Sequence, residues 1–428
     1  MAVMTEHKVV PKKRFSSFNS NWITKWYGDI YSFYSTNSLS RDKLNYESGK
    51  VFNIHYGDIH TKFSTMFDLK KESTPLINLE VDLSKYSEEK YCQEGDLVVA
   101  DASEDYADIG KTIELINLNN ERVLAGLHTF LARPNKYEMA KGFAGYLMQS
   151  WNVRKQVMVI AQGSKVLGLA TGRLAKIKLF IPEYQEQKKI ASFLSAVDTK
   201  LQQLTKKAAL LEAYKKGVMQ KIFSQELRFK DANGNNYPNW EEQKLGDFIK
   251  LQGGNAFKSS QFKKEGIPII RISNISNKTK YLDLEKLVYY NEQKNDSNYI
   301  ISKGYLLIAM SGATTGKSSI SDFEGKAYLN QRVGLFKSKT TELEYGFLIQ
   351  FVFSKIFSRQ LYGVLVAGAQ PNISSKDIEN FKFKLPSFEE QKKIANFLSS
   401  LDSKIELVSV QIENTKAFKK GLLQQMFV

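Results

Sequence analysis

From Val197 the apolar residues step by four and three through Leu201, Leu204, Ala208 and Leu211, then resume at Val218 and Ile222. Near the end of the chain the same spacing runs through Leu401, Ile405, Val408 and Ile412, resuming at Leu422 and Met426. A four-three step puts every apolar side chain on one stripe of a helix, and held for about four heptads it is the pattern of a coiled-coil seam. The expected helix-pairing residues are therefore Val197, Leu201, Leu204 and Leu211 in one stretch and Leu401, Ile405, Val408 and Ile412 in the other. The other reading of the spacing is one face of a helix lying on its own globular domain. Lys215 and Lys419 interrupt the stripe at core positions, and Thr415 makes the second stretch polar one step earlier. Both helices are expected to start at a proline, Pro182 and Pro386. Ser387 with Glu390 three residues on has the form of a capping box, and Glu183 and Glu186 place acid in the first turn of the other helix. At about 1.5 Å per residue, some 30 residues of helix extend roughly 45 Å.

The two stretches are copies of each other. Pro182 to Phe223 and Pro386 to Phe427 share 18 of 42 positions at an offset of 204, including Glu-Gln-Lys-Lys-Ile-Ala at Glu186 and again at Glu390. A period this long exceeds the roughly 20 to 50 residues of solenoid and propeller repeats, so the repeated unit is a domain with an appended helix. The segments before each helix agree in their landmarks. Asn21-Trp22 and Gly28-Asp29 return as Asn239-Trp240 and Gly246-Asp247. Gly95-Asp-Leu-Val-Val-Ala100 returns as Gly304-Tyr-Leu-Leu-Ile-Ala309, each followed by a polar loop ending in Gly-Lys, at Lys111 and Lys317. Gly145-Tyr-Leu147 returns as Gly346-Phe-Leu348.

Short apolar runs at Lys176 to Ile181, Ile267 to Ile272 and Val333 to Phe336, with a helical pattern from Leu343 to Leu361, indicate mixed α and β domains. Asp231-Ala-Asn-Gly-Asn-Asn236 is a turn and linker into the second half. The expected organisation is an arm over residues 1–13, a domain over 14–180, a helical region over 181–226, a second domain over 227–384 and a second helical region over 385–428. The fold class is α+β, two mixed domains separated and followed by long helices that pair as an antiparallel coiled coil with pseudo-two-fold symmetry.

Charge sharpens this picture. The 428 residues carry 61 Lys and Arg against 45 Asp and Glu, a net charge of +16, which favours a polyanionic partner. Residues 182–223 hold eight Lys against four acids, giving +4, and residues 386–428 hold six against five, giving +1, so +11 lies outside the helical stretches. That charge is interleaved with Tyr, Phe, Asn and Gln, residue types that contact phosphates and base edges. One cysteine, Cys92, precludes an internal disulfide, and four histidines, His7, His55, His60 and His128, form no zinc pattern; His55 and His60 read as surface or strand decoration. No stretch approaches the roughly 18 apolar residues of a membrane span, so a soluble cytoplasmic protein with no membrane partner is expected.

Catalytic signals are weak. Ser311-Gly-Ala-Thr-Thr-Gly316-Lys317-Ser318 approximates a phosphate-binding loop but lacks glycine at Ser311, as does the related loop ending at Gly110-Lys111, and a turn between strands is the better account. No Pro-Pro dipeptide exists for the loop by which amino-methyltransferases hold a flipped base. Glu324-Gly-Lys326 has no upstream Asp in register for a nuclease.

The order variable domain, Pro-x-x-x-Glu-Gln-Lys-Lys-Ile helix, variable domain, Pro-x-x-x-Glu-Gln-Lys-Lys-Ile helix resembles the specificity subunit of type I restriction-modification systems. The resemblance spans essentially the whole chain and is strongest at Lys215-Lys-Gly-Val-Met-Gln220 and Lys419-Lys-Gly-Leu-Leu-Gln424, with Trp240 to Asp247 and Ser311 to Lys317 similar to that family's target-recognition domains. It implies a non-catalytic subunit that binds double-stranded DNA, each domain reading one half of a bipartite asymmetric target while the helices set the spacer. It also implies two modification subunits supplying S-adenosylmethionine and the methyl-transfer site, and restriction subunits supplying ATP- and Mg-dependent cleavage, with no cofactor or metal held by this chain. The DNA-facing residues expected are Lys111, Arg122, Lys165 and Arg173 in the first domain and Arg271, Asn274, Lys317, Gln331, Arg332, Gln370 and Asn372 in the second. Glu186, Gln187, Glu390 and Gln391 are the expected docking positions for partner subunits. Two other readings remain open on residues alone: a coiled-coil adaptor whose domains bind proteins, and an enzyme using the Gly316-Lys317 loop on nucleotides. Within the family, a specificity subunit for a fused methyltransferase-nuclease is the alternative.

Overall fold

A computed structural model of the chain describes residues 9–135, 139–276, 279–293, 296–367 and 372–428. It divides into two compact units, one formed by the chain up to Thr205 with Val410–Val428, the other by Lys206–Ser409. The division runs through both long helices, Tyr184–Phe223 and Phe388–Gln425, so each unit holds the first half of one and the second half of the other.

Each unit is layered, and one strand per unit shows why. Leu97–Ala100 is buried at every position. Successive side chains of a strand point to opposite faces. Leu97 and Val99 enter a core that includes Ile190, Leu194 and Val197 of the first long helix and Leu422 of the second. Val98 and Ala100 enter a different core with Ile54, Phe67 and Val123. In the other unit Leu306 and Ile308 face Ile222, Ile394 and Leu398, while Leu307 and Ala309 face Ile270, Ala327 and Leu329. A four-residue run of aliphatics is thus the signature of a strand covered on both faces.

The sheets follow from that strand. In the first unit it pairs with Thr129–Pro134 and Thr112–Asn117 in a five-stranded sheet completed by Tyr31–Tyr34 and Met66–Asp68. In the second, Leu306–Ala309 lies between Val333–Ser338 and Ser318–Ile320, with Ile249–Gly253 at the edge. A second sheet in each unit contains a parallel pair, Phe52–Ile54 with Val123–Ala125 and Ile267–Ile270 with Ala327–Leu329. An antiparallel ribbon ties the strand before each long helix to the start of its domain, Lys178–Ile181 to Ile23–Trp26 and Lys382–Leu385 to Glu241–Lys244. The turn at Asp231 forms as expected, its carboxylate accepting from Asn233 N and Asn235 N at 2.8 Å each.

Three local expectations change. The helix anticipated over Leu343 to Leu361 is two, Tyr345–Val352 and Lys355–Ala367, broken at Phe353, where ψ is 2°, and restarted at the buried Ser354. The long helices begin two residues after their prolines. The capping box at Ser387 does not form: Ser387 Oγ has no hydrogen-bond partner, and the Glu390 carboxylate is turned inward to other donors described below.

The four-three stripe is the shielded face of both helices. Val197, Leu204, Leu401 and Val408 are buried, while Leu201, Leu211, Ile405 and Ile412 are half-buried. The two lysines that interrupt it are ion-paired. Lys215 Nζ lies 2.6 Å from Asp402 in one unit and Lys419 Nζ 2.7 Å from Asp198 in the other. Asp198 and Asp402, like Lys215 and Lys419, are equivalent across the 204-residue repeat. Burial opposes ionisation of Asp402, but the hydrogen bond and charge of Lys215, with Gln350 and Lys280 nearby, hold its carboxyl below the ordinary range. The price is borne by Lys215, whose ammonium burial pushes down.

Candidate nucleic-acid interface

The Glu-Gln pairs expected to dock partners are interior instead. Glu186, Gln187, Glu390 and Gln391 are at most 2 % exposed. Arg14 spans both oxygens of Glu186 at 2.7 and 2.6 Å, and Arg228 spans those of Glu390 at 2.9 and 2.7 Å. Each glutamine donates to the carbonyl of its own proline, Gln187 to Pro182 and Gln391 to Pro386, both at 3.0 Å. Their amide oxygens accept from Ala140 N and Glu344 N, both at 2.8 Å. Such bidentate, charge-assisted pairs lock each helix start to its domain. The Glu-Gln-Lys-Lys-Ile motif is therefore a clamp within each unit, and its recurrence reflects an internal contact.

Several residues expected on the DNA face of the second unit converge around Met310. Met310 N donates to Arg332 O, and Ile373 N donates to Met310 O, both at 2.9 Å, which brings the Asn330–Arg332 turn and Asn372 to one place. Thr314 Oγ1 donates to Ile272 O at 3.1 Å, tying in Arg271. Lys317, Gln331, Arg332 and Asn372 are exposed there. The ammonium of Lys317 and the guanidinium of Arg332 meet no acceptor among the described residues. Arg271 lies over Phe262 and donates to Lys286 O at 3.3 Å. Asn274 is a correction: it is 1 % exposed, accepts from Arg271 N and donates to Asp283 O, so it shapes the turn and cannot reach a ligand. His7 and Gln370 lie outside the described residues.

The Gly316-Lys317 loop joins two antiparallel strands, whereas a phosphate-binding loop leads into a helix N-terminus. Gly316 N donates to Ala309 O at 2.8 Å and Ala309 N to Lys317 O at 2.9 Å, with Gly316 at φ 80°. Gly110 repeats this with Ala100 and Lys111 at 3.1 and 2.9 Å and φ 66°. A left-handed residue closing the turn is what requires glycine in both.

The first unit has the same edge built from other residues. Gly126 N donates to Ile54 O as Asn330 N does to Ile270 O, and Asn37 N to Ala125 O as Asn255 N does to Leu329 O. Asp101 N donates to His128 O and Leu169 N to Asp101 O, mirroring Met310 with Arg332 and Ile373. His128 therefore occupies the place of Arg332, Asp101 that of Met310 and Lys111 that of Lys317. His55 similarly takes the place of Arg271, since Asp58 N bonds His55 O as Asn274 N bonds Arg271 O.

Of the four residues expected here, Lys111 is at the edge but its Nζ is engaged by His60 O at 2.6 Å. Lys165 is exposed in the turn before Leu167–Gly168, which pairs with Ala102–Ser103 next to Asp101. Arg173 is half-buried on the short helix Thr171–Leu174. Arg122 is a correction. It precedes strand Val123–Ala125 whereas His128 follows it, and it stacks on Tyr91 at 3.8 Å and pairs with Glu88 at 2.5 Å. What the reading of residue types missed is that His55, His60 and His128 all surround Tyr56, with ring centroids 4.7, 5.9 and 5.2 Å away. Burial and the neighbouring Arg41 push His55 down, leaving it neutral at pH 7. Burial lifts the Asp101 carboxyl above its ordinary range, with His128 pulling the other way. Among the described residues no three His, Cys, Asp or Glu are placed to hold a metal, and no helix is long and apolar enough to cross a membrane.

Two units with one backbone frame and different polar edges define a duplicated recognition protein. The chain matches the family described as the type I restriction modification DNA specificity domain over residues 9–213 and again over 237–415, and it belongs to that family. It is 26% identical over 408 residues to the putative type I restriction enzyme MjaX specificity subunit of Methanocaldococcus jannaschii, covering 91% of this chain and 88% of that one. It is 28% identical over 256 residues to the MjaVIII specificity subunit of the same organism, 58% of this chain and 60% of the relative. The fold matches the crystal structure of a type I restriction-modification S subunit from M. genitalium with a TM-score of 0.61 at 15% identity, covering 98% of this chain and 99% of that one. A second solved chain, from work on assembly and conformational transition of the type I system, matches with a TM-score of 0.54 at 14% identity, covering 94% and 96%.

Proposed function

We propose that this chain is the DNA-specificity subunit of a type I restriction-modification complex, each unit reading one half of a bipartite, asymmetric target. The observation that carries the reading is the edge around Met310 and its counterpart around Asp101: the same hydrogen-bonded frame presents Lys317 and Arg332 in one unit and Asp101 and His128 in the other. Equivalent frames place side chains in equivalent positions, and different side chains there select different bases. The net charge of +16 supplies the sequence-independent attraction to phosphates.

In this reading the chain performs no chemistry. Adenine methylation and ATP-dependent cleavage belong to modification and restriction subunits, which hold S-adenosylmethionine, ATP and magnesium. The long helices carry the four-three stripe by which they pair as an antiparallel coiled coil and set the unread spacer. Because the Glu-Gln pairs are interior, partner docking falls to the exposed faces of these helices.

The test is to express the chain with its modification subunits in a host lacking adenine methylation and to map modified bases by single-molecule sequencing. One asymmetric, gapped motif is expected. No motif, together with salt-insensitive failure to bind duplex DNA, would replace this reading with the protein-binding adaptor.

A further inference from the structure

The two edges differ in sign as well as shape. In the second unit Lys317 and Arg332 present cationic groups that meet no acceptor among the described residues, the chemistry that grips phosphates and the O6/N7 edge of guanine. In the first, the ammonium of Lys111 is turned onto His60 O and Asp108, and the position of Met310 is taken by a carboxylate, Asp101. Asp101 Oδ1 lies 3.2 Å from His128 Nδ1, and its side chain is 22% exposed. Its other oxygen has no partner among the described residues. His128 is half exposed and held at φ 55°, in the left-handed region that histidine, like Asn and Asp, enters more often than other side chains. There His128 O accepts from Asp101 N, and the imidazole packs edge-on against the Tyr56 ring.

Resting on the specificity-subunit reading, we infer that Asp101 and His128 are the specificity-determining pair of the first unit and select a base that presents an exocyclic amino group in the major groove, cytosine or adenine. The free carboxylate oxygen accepts from that amino group, and guanine and thymine, which offer acceptors there, are rejected by like-polarity contact. His128 fixes the carboxylate through its other oxygen. Tyr56 supports the imidazole, and His60, whose Nε2 is 2.9 Å from Ala102 O, braces the strand that follows Asp101. The two half-sites are therefore read by opposite chemistries, acceptor in one and donor in the other.

The experiment compares methylation maps of the full complex carrying Asp101→Asn, His128→Ala or Arg332→Ala. Asp101→Asn keeps the shape and replaces an acceptor-only group by one that also donates. It is expected to relax one position of one half-site, with discrimination falling on the order of 10-fold, the other half unchanged. His128→Ala should relax the same position, and Arg332→Ala a position in the opposite half. The retained half-site reports that each variant folds and assembles. If both first-unit variants keep the wild-type motif with unchanged discrimination, the inference is overturned while the specificity reading stands. If the wild-type complex marks no motif, both fall.

Discussion

Replacing Arg14 by alanine tests the clamp that seats each long helix. Glu186 is fully buried and its two oxygens are both taken by Arg14, at 2.7 and 2.6 Å, with no other partner among the described residues. Removing the guanidinium leaves a buried carboxylate with nothing to balance it. Breaking a buried pair on one side costs about 3–5 kcal/mol, because the orphaned charge keeps its desolvation penalty. For a unit of this size each kcal/mol shifts the midpoint by about 2–4 °C, so a fall of roughly 6–20 °C is expected. In the other unit Glu390 keeps the Trp240 indole N–H at 2.9 Å after Arg228→Ala, and a hydrogen bond to a charged group is worth about 1.5–3 kcal/mol. Arg228→Ala should therefore be the milder of the two. Arg14→Lys should recover only part, since an ammonium cannot span both oxygens. Differential scanning calorimetry gives the midpoints, and Cys92 gives a unit-specific probe: it is buried in the first unit and its thiol is pushed far up by burial, so it reacts with thiol reagents only when that unit opens. A first unit that melts and labels like wild type in Arg14→Ala would refute the account of the motif as an internal clamp.

Lys317→Ala should weaken duplex binding across all sequences and lower the slope of log affinity against log salt by about 1, read by fluorescence anisotropy at several ionic strengths. Asp402→Ala should lower second-unit stability by about 3 kcal/mol by leaving Lys215 and Lys280 unpaired, with Lys215→Met on that background restoring part of it in urea titrations. Because Asp402 is held below the ordinary carboxylate range, its contribution is present above about pH 4 and lost as pH falls below that, a slope Asp402→Ala should abolish. Glu114 runs the other way: burial lifts it to about 7, so its contribution is full below about pH 4 and is lost as pH rises towards 7. Glu114→Gln should flatten that part of the pH profile of first-unit unfolding.

The duplicated helices were legible because their signal is local. A four-three stripe and a 42-residue copy need no knowledge of what lies across the chain, and the shielded face follows that stripe. The strands Lys178–Ile181, Ile267–Ile270 and Val333–Ser338 were legible as short apolar runs, whereas Leu97–Ala100 and Leu306–Ala309, buried on both faces, were read only as landmarks of the repeat. The Glu-Gln pairs were misread as docking residues because a recurrent charged motif looks the same whether its partner is another protein or an arginine 172 residues away in the same chain. Ser387 was misread as a cap because the box was judged from two residues, while Glu390 had stronger donors in Arg228 and Trp240. The first-unit edge was the hardest to see. Its residues come from positions 55, 101, 111 and 128, and only the backbone pairings bring them into the places of Arg271, Met310, Lys317 and Arg332.

That division follows from what duplication permits. The clamp, the Gly-Lys turns and the two-faced strands are interior, where a change leaves a buried charge, a forbidden backbone angle or a cavity. Both copies keep them, as Arg14 with Glu186 and Arg228 with Glu390 show. The edge residues border solvent, so Arg332 can correspond to His128 and Met310 to Asp101 without disturbing the frame that holds them. Base reading needs its side chains positioned to within about 0.5 Å, which only a rigid frame provides, and needs their identities free to change. A chain that duplicates its interior and varies its edge satisfies both conditions, and under the proposed reading the two half-sites need not resemble each other.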